Sequence, residues 1–450
     1  MQAKTITISR LTCEMQEGLV VVEGSPRLGW VMESPENGTR QSAYEIDIRE
    51  AFTGRSVWNS GKVYSTQSQL VSIEGADIRP DNPFNYSWRV RVWDETDAPS
   101  EWSREAKFRS ASSRLSEGKW IGAITRQNAH LPEGRKFHGG ELKKPEVKAA
   151  WEAVDTLAKK SICLRRTFQV GDRAEGNTNR QSGKKIVEAT AYVCGLGFYE
   201  FSLNGKKVGN SEFAPLWSDY DKTVYYNTYD VTEQLRHGEN AVGILLGNGF
   251  YNVQGGRYRK LQISFGPPTL LFELVINYED GTSTTLRSDN DWKYDFSPVT
   301  FNCIYGGEDY DARREQKGWN QVGFDDSHWR PVVIQEAPKG ILRPQMAPPV
   351  KIMERYDIQK VTKLNAEQVA SASVSTKRTV DPSAFVLNMG QNLAGFPEIT
   401  VRGKRGQKVT LIVAEALTEE GACNQRQTGR QHYYEYTLKG EGDETWHPRF

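Results

Sequence analysis

Cysteine is scarce and scattered. The five thiols, Cys13, Cys163, Cys194, Cys303 and Cys423, are odd in number and far apart, with no Cys-x-x-Cys pair and no Cys/His spacing. Neither a zinc centre nor a disulfide framework is expected from such a set. An excess of one charge sign is equally lacking: 58 Lys plus Arg against 57 Asp plus Glu leave a net charge of +1. That balance supplies no field to steer nucleic acid or an acidic membrane, so both are disfavoured as partners. No apolar run is long enough to span a bilayer, and the opening MQAKTITISRLTCEM has no signal-peptide core. The expectation is a soluble, cytoplasmic chain, or a periplasmic one if a leader has been removed. The six histidines (His130, His138, His237, His328, His432, His447) show no ligand spacing and are read as surface or strand residues rather than catalytic bases. Helical periodicity is rare too. Only Val147, Ala150, Trp151, Val154, Leu157 and Ala158 fall at helical spacing, which predicts one short amphipathic helix over 146–159.

What the chain does have is aromatic residues and turns. Aromatics make up 11%, including 12 Trp and 19 Tyr, side chains that fill β-sandwich cores and also stack on sugar rings. At 450 residues the chain is too long for one core, and three domains of roughly 150 residues is the prior. Residues 1–112 alternate in short strands such as Ser42-Ala-Tyr-Glu-Ile-Asp-Ile48 and Tyr86-Ser-Trp-Arg-Val-Arg-Val-Trp93, the pattern of an immunoglobulin or fibronectin III-like sandwich. A small-polar linker, 111–118, leads to a second domain over 117–343 with a polar insertion at 126–160. Its many short strands, Asn-Gly dipeptides at Asn204 and Asn248 and long loops predict a jelly roll. Pro344 to Pro349 reads as a hinge, and 346–450 as a further jelly-roll or concanavalin-like sandwich whose ending, Trp446-His-Pro-Arg-Phe450, resembles the start of a strand. That third domain is therefore expected to be incomplete, with an exposed strand edge that lowers solubility. The fold class is all-β, three tandem sandwiches.

The stretch from Ala191 to Asn252 is the densest part of this pattern, with apolar-aromatic pieces of strand length separated by Asn-Gly, Ala-Pro and His-Gly. Leu203-Asn-Gly205, Ala214-Pro-Leu-Trp-Ser-Asp-Tyr220, Tyr229-Asp-Val-Thr232 and Leu246-Gly-Asn-Gly-Phe-Tyr251 lie in it. Tyr305-Gly-Gly-Glu-Asp-Tyr-Asp-Ala-Arg313, Gly323-Phe-Asp-Asp-Ser-His-Trp329, Met389-Gly-Gln-Asn-Leu-Ala-Gly395 and Ala414-Glu-Ala-Leu417 follow. Together these phrases resemble the N-terminal part of the bacterial α-L-rhamnosidases of glycoside hydrolase family 78, in family order and over nearly the whole chain. The resemblance implies a full enzyme that hydrolyses terminal α-L-rhamnosyl residues with inversion. It places the catalytic carboxylates in a helical toroid after the third sandwich, and nothing in 1–450 has the periodicity of such a toroid. The chain is thus expected to be the accessory half, with rhamnose-containing glycans and a C-terminal helical domain as partners. A free-standing carbohydrate-binding module is the alternative.

Within these residues no catalytic pair is assigned. Glu308, Asp309 and Asp311 beside Arg313 and Arg314 are the most chemical-looking cluster, but two carboxylates that cleave a glycoside must flank the sugar. Neighbours in sequence cannot do so alone, and Glu212, Asp219 or Asp221 would have to supply the other. A carboxylate–arginine pair or a calcium site are the other readings. The resemblance extends to jelly-roll modules that bind rhamnose with a calcium ion and polar loops, which makes calcium the one candidate cofactor, its ligands unknown. Trp217, Asp219, Asn248, Tyr251, Glu308 and Asp311 are the candidate sugar-binding residues, with Asn210 as a further one, because aromatic faces meet sugar C–H surfaces while amides and carboxylates take hydroxyls. Phe250 stands where many relatives have Trp. Asp325-Asp-Ser327 before Trp329 reads as a capped turn over a packed Trp, and 390–395 as a turn rather than a phosphate loop.

Overall fold

The computed structural model describes residues 6–450 except 80, 81, 83, 112–114, 116, 133–135, 139, 172–183, 258–260, 373–383 and 427–430, with the backbone alone for 136–138. In the first domain one sheet holds Thr7–Cys13, Arg27–Glu33 and Val71–Ser72. The other runs Val20–Val22, Ala106–Ser110, Tyr86–Asp94, Gln41–Glu50, Ser56–Asn59. Alternation produces the sandwich: in Tyr86–Asp94 the side chains of Trp88, Val90 and Val92 are at most 1% exposed, while Arg89 and Arg91 lie on the outer face. Those arginines stack 4.6 and 4.8 Å from the Trp102 ring and pair with Asp47 and Glu45 of the adjacent strand at 3.0 and 2.6 Å. The outer face is therefore charged but locally neutralised.

The second domain is built on two large sheets. One is centred on Thr269–Tyr278, Ile186–Leu196 and Thr223–Asp230, the other on Tyr199–Leu203, Gly238–Leu246, Ile162–Val170 and Lys293–Phe296. Their inner faces share a core that includes Val193, Phe201, Ile244, Phe272 and Trp292. The two domains meet at a buried ion pair, in which Arg109 of the first contacts Glu188 of the second at 2.6 Å, both side chains 5% exposed. Glu188 also accepts from the Asn85 N–H at 3.1 Å. Desolvation raises the Glu188 pKa, and the guanidinium of Arg109 opposes that rise.

The helix predicted over 146–159 is shorter than expected. Pro145–Glu152 is α-helical, and a separate 3-10 turn, Thr156–Lys159, begins where the Asp155 carboxylate accepts from the Leu157 N–H at 2.7 Å. An Asp that bonds its own following backbone starts a new turn rather than extending the old one. Trp151, Val154 and Ala158 nevertheless bury together against Ile124 and Ala129, so the spacing marked a buried face and not a continuous helix. A second helix, Ala366–Ser371, was not expected. Its signal was the Asn365/Gln368 capping box, in which each side chain bonds the other's backbone N–H.

The third segment shares a sheet with the second domain. Lys408–Ile412 and Tyr433–Thr437 continue a hairpin, Val299–Cys303 and Gly307–Asp311, with Gly307–Asp311 parallel to Tyr433–Thr437. Gly307 has φ +86°, and a Cβ there would stand 2.0 Å from the Tyr433 carbonyl oxygen, so this crossing requires glycine. Main-chain pairing therefore crosses the expected boundary at 343–346. The stretch read as a hinge is held in place: Ile341–Pro344 lies parallel to Thr223–Asp230, and the Gln345 side chain accepts from Leu216 N–H and Asn227 Nδ2, both at 3.0 Å. Near the end, Asp443–Trp446 pairs with Ile399–Arg402. Among the described residues no helix is long and apolar enough to cross a membrane.

Candidate functional site

Three loops at one end of the second domain converge on an aromatic face. Trp217 is 63% exposed, its ring 5.5 Å from Phe250 at an interplanar angle of 35°. Phe250 meets the edge of Tyr305 at 6.0 Å and of Phe198 at 5.9 Å. From Phe198 the row continues through Phe213 and Phe396 to His447, with centroid separations of 5.7, 5.8 and 5.2 Å. Burial, then the Arg449 charge, lowers the His447 pKa and keeps the ring neutral. Its Nε2 lies 3.0 Å from Arg449 Nη1, which also reaches Glu200 at 3.4 Å.

The Trp217 loop is fixed from below. Leu216 N–H donates to Gln345, and the Ser218 hydroxyl donates to the Thr223 carbonyl at 2.7 Å. Asp219 is exposed next to Trp217 and pairs with Lys222 at 3.1 Å. The Phe250 loop needs its glycines: a Cβ on Gly247 would meet the Phe450 ring at 2.4 Å, and Gly249 has φ +50°. A large exposed Trp backed by a second ring can receive the C–H face of a pyranose, and the carboxylate of Asp219, two residues on and also exposed, can accept from a hydroxyl.

The other expected residues lie elsewhere. Asn248 is 1% exposed and its polar groups are all engaged within the protein. Its N–H donates to Asn302 Oδ1 at 2.8 Å, its amide NH2 to the Lys159 and Asn302 carbonyls, and its Oδ1 accepts from Asn252 and Gln254. Tyr251 is buried between Tyr220 and Phe265, with its hydroxyl 3.2 Å from the Phe265 carbonyl. Glu308 is fully enclosed and accepts from the backbone N–H of Arg449 and Phe450 at 3.0 and 2.9 Å, and desolvation raises its pKa to about 8. Asp311 is held by Arg313 at 2.8 Å and Arg314 at 3.3 Å, and the Arg313 hydrogen bond keeps its carboxyl below the usual range. Of the six candidates, then, only Trp217 and Asp219 are exposed. Glu308 and Asp311 thus already spend carboxylate oxygens on partners within the protein. Among the described residues no group of three or more His, Cys, Asp or Glu is placed to hold a metal ion.

Phe250 and Tyr305 complete the face. Both sit in phrases quoted from the sequence, yet only the fold brings them beside Trp217. Phe213 to Phe396 is a contact with no local signal. Asp325 accepts from Ser327 N–H at 3.0 Å over a buried Trp329, the capped turn its sequence predicts.

Three family models match successive parts of the chain: "Rha78A-like, N-terminal immunoglobulin domain" over residues 8–113, "Alpha-L-rhamnosidase N-terminal domain" over 184–354, and "Bacterial alpha-L-rhamnosidase concanavalin-like domain" over 378–450. An α-L-rhamnosidase of Formosa agariphila is 33% identical over 96% of this chain and 43% of its own length. The solved α-L-rhamnosidase of Dictyoglumus thermophilum superimposes with a TM-score of 0.73 at 29% identity, covering 100% of this chain and 46% of the other. That of Streptomyces avermitilis, complexed with L-rhamnose, gives 0.76 at 26%, covering 99% and 55%. The chain spans about half the length of the curated relatives it matches, 43% and 54% for two of them. With an immunoglobulin-like domain, a rhamnosidase jelly roll and a concanavalin-like segment following one another in that order, the chain belongs to the bacterial α-L-rhamnosidase family and corresponds to its N-terminal portion.

Proposed function

We propose that this chain is the accessory portion of a longer α-L-rhamnosidase that removes terminal α-linked rhamnose with inversion, and that its own part is to hold a rhamnosyl group on the Trp217 face. Rhamnose-containing glycans would be the ligand, and a following helical domain would carry the catalytic acid and base. The observation that carries this reading is the exposed Trp217 ring, backed by Phe250 and flanked by Asp219, within the stretch that the rhamnosidase N-terminal model covers. The deoxy C6 methyl and C–H face of rhamnose suit an aromatic platform better than a fully polar pocket.

Calorimetric titration of the 450-residue chain with methyl α-L-rhamnoside tests it. Binding is expected and should weaken about tenfold, or ~1.4 kcal/mol, in Trp217→Ala. Unchanged affinity in that variant would refute the assignment of the face. Chelation by EDTA is expected to leave binding as it was, because Glu308 and Asp311 are already paired. Release of p-nitrophenol from an aryl rhamnoside by this chain alone would refute the accessory role.

A further inference from the structure

Asn-Gly dipeptides occur at Asn37, Asn204 and Asn248, and the fold treats them unequally. An Asn side chain can close on the backbone nitrogen of the next residue, and a following Gly leaves that nitrogen the least hindered. Closure needs a carboxamide free of hydrogen bonds and a backbone able to bring the next N–H toward it. Asn204 and Asn248 lack both. The Asn204 amide donates to the Gln234 carbonyl at 3.1 Å and to Asn240 Oδ1 at 2.8 Å, and its Oδ1 accepts from Ala241 N–H at 3.0 Å. A Cβ on Gly205 would stand 2.6 Å from Gln321. Asn248 is buried with both ends of its amide engaged, and a Cβ on Gly249 would stand 2.7 Å from the Phe198 nitrogen.

Asn37 differs on each count. It is exposed, in the turn that joins Arg27–Glu33 to Gln41–Glu50. The flanks of that turn are clamped: the Ser34 and Thr39 hydroxyls are 3.0 Å apart, Ser34 Oγ accepts from Glu36 N–H at 3.2 Å, and Thr39 Oγ1 donates to the Glu36 carbonyl at 3.0 Å. Among the described residues no hydrogen bond takes the Asn37 carboxamide or the Gly38 N–H. Gly38 has φ +81°, and nothing lies within 4 Å of where its Cβ would be. The dipeptide can therefore rotate without displacing a neighbour.

We infer that Asn37 is a modification site of the folded protein, deamidating through a cyclic imide while Asn204 and Asn248 stay intact. Solvent base takes the Gly38 N–H proton, the nitrogen bonds to Asn37 Cγ, the Cγ–Nδ2 bond breaks and ammonia leaves with a proton from water. Water then opens the imide. Attack at Cγ gives Asp, and attack at the main-chain carbonyl gives isoaspartate, whose chain runs on through the side-chain carbonyl. The balance is one water consumed and one ammonia released. Each event replaces a neutral amide with a carboxylate next to Glu36 and cancels the net charge of +1.

The test holds the full 450-residue chain folded in warm, mildly alkaline buffer, beside the same chain unfolded in guanidinium chloride, and follows both by peptide mapping with mass spectrometry. In the folded chain the Asn37 peptide is expected to convert at least about tenfold faster than those of Asn204 and Asn248, because the latter two must first open locally. Asp and isoaspartate should both appear at position 37. In the unfolded chain the three should convert at comparable rates. Asn37 remaining intact in the folded chain would overturn the inference, whatever the unfolded chain does. Equal rates at the three positions in the folded chain would overturn it too, since the fold would then select nothing. Asp without isoaspartate would replace the imide by direct hydrolysis and overturn the proposed route.

Discussion

Glu308 has no contact with solvent, and its two oxygens face the backbone N–H groups of Arg449 and Phe450. Those bonds favour the charged form, yet desolvation outweighs them and carries the pKa from 4.5 to about 8. Since the folded value lies above the unfolded one, the group's stabilising contribution is complete below about 4.5 and is lost as pH rises through about 8. Glu308→Gln keeps an acceptor at the oxygen that serves both N–H groups. Its melting temperature should match the wild type near pH 5 and exceed it progressively toward pH 9, as thermal scans across that range would read. A difference that stays constant with pH would show that Glu308 does not titrate in this window. Trp217→Ala is the opposite case: an exposed ring touching one neighbour should cost less than about 0.5 kcal/mol in urea denaturation. The same contrast explains what was legible at this scale. Trp217 could be picked out because a Trp in a turn is noticeable in sequence. Asn248, Tyr251 and Glu308 are equally noticeable, but hydrogen-bond partners 54, 14 and 142 positions away in the chain absorb them.

Elements join through groups that no single element reveals. Arg109 on Ala106–Ser110 and Glu188 on Ile186–Leu196 are both buried. Removing one partner alone strands the other charge, so Arg109→Met should cost about 3–5 kcal/mol. Glu188→Gln added to it should recover much of that loss, because the amide still accepts from Asn85 N–H while no charge remains. Two-variant denaturation cycles measure this coupling, and strict additivity would show that the pair is not coupled. Gly307→Ala should separate Gly307–Asp311 from Tyr433–Thr437, because the added methyl cannot coexist with the Tyr433 carbonyl. Amide exchange in the Tyr433–Thr437 strand would rise selectively. The strands of the first two domains were readable because alternation and turn dipeptides are local. Helix length was misjudged because Asp155, a polar residue inside an apolar period, redirected the backbone.

At the scale of the whole molecule, family phrases located all three segments, while the way they interlock was not visible. A peptide of residues 346–450 alone is expected to lack a stable fold, as its main sheet is completed by Val299–Asp311. Extending the fragment back to residue 117 should restore dispersed amide resonances. Calorimetry of the full chain should accordingly show the second and third segments melting in one transition, and two separate transitions would contradict the shared sheet. The same interlock bears on inheritance. A recombination event falling in the codons for 344–349 would look harmless in the linear gene, yet it would give one descendant a hairpin with no neighbour and the other a sheet missing half its strands. The second and third segments are thus expected to be exchanged between genomes as one cassette, with the proline-rich stretch sealed inside it.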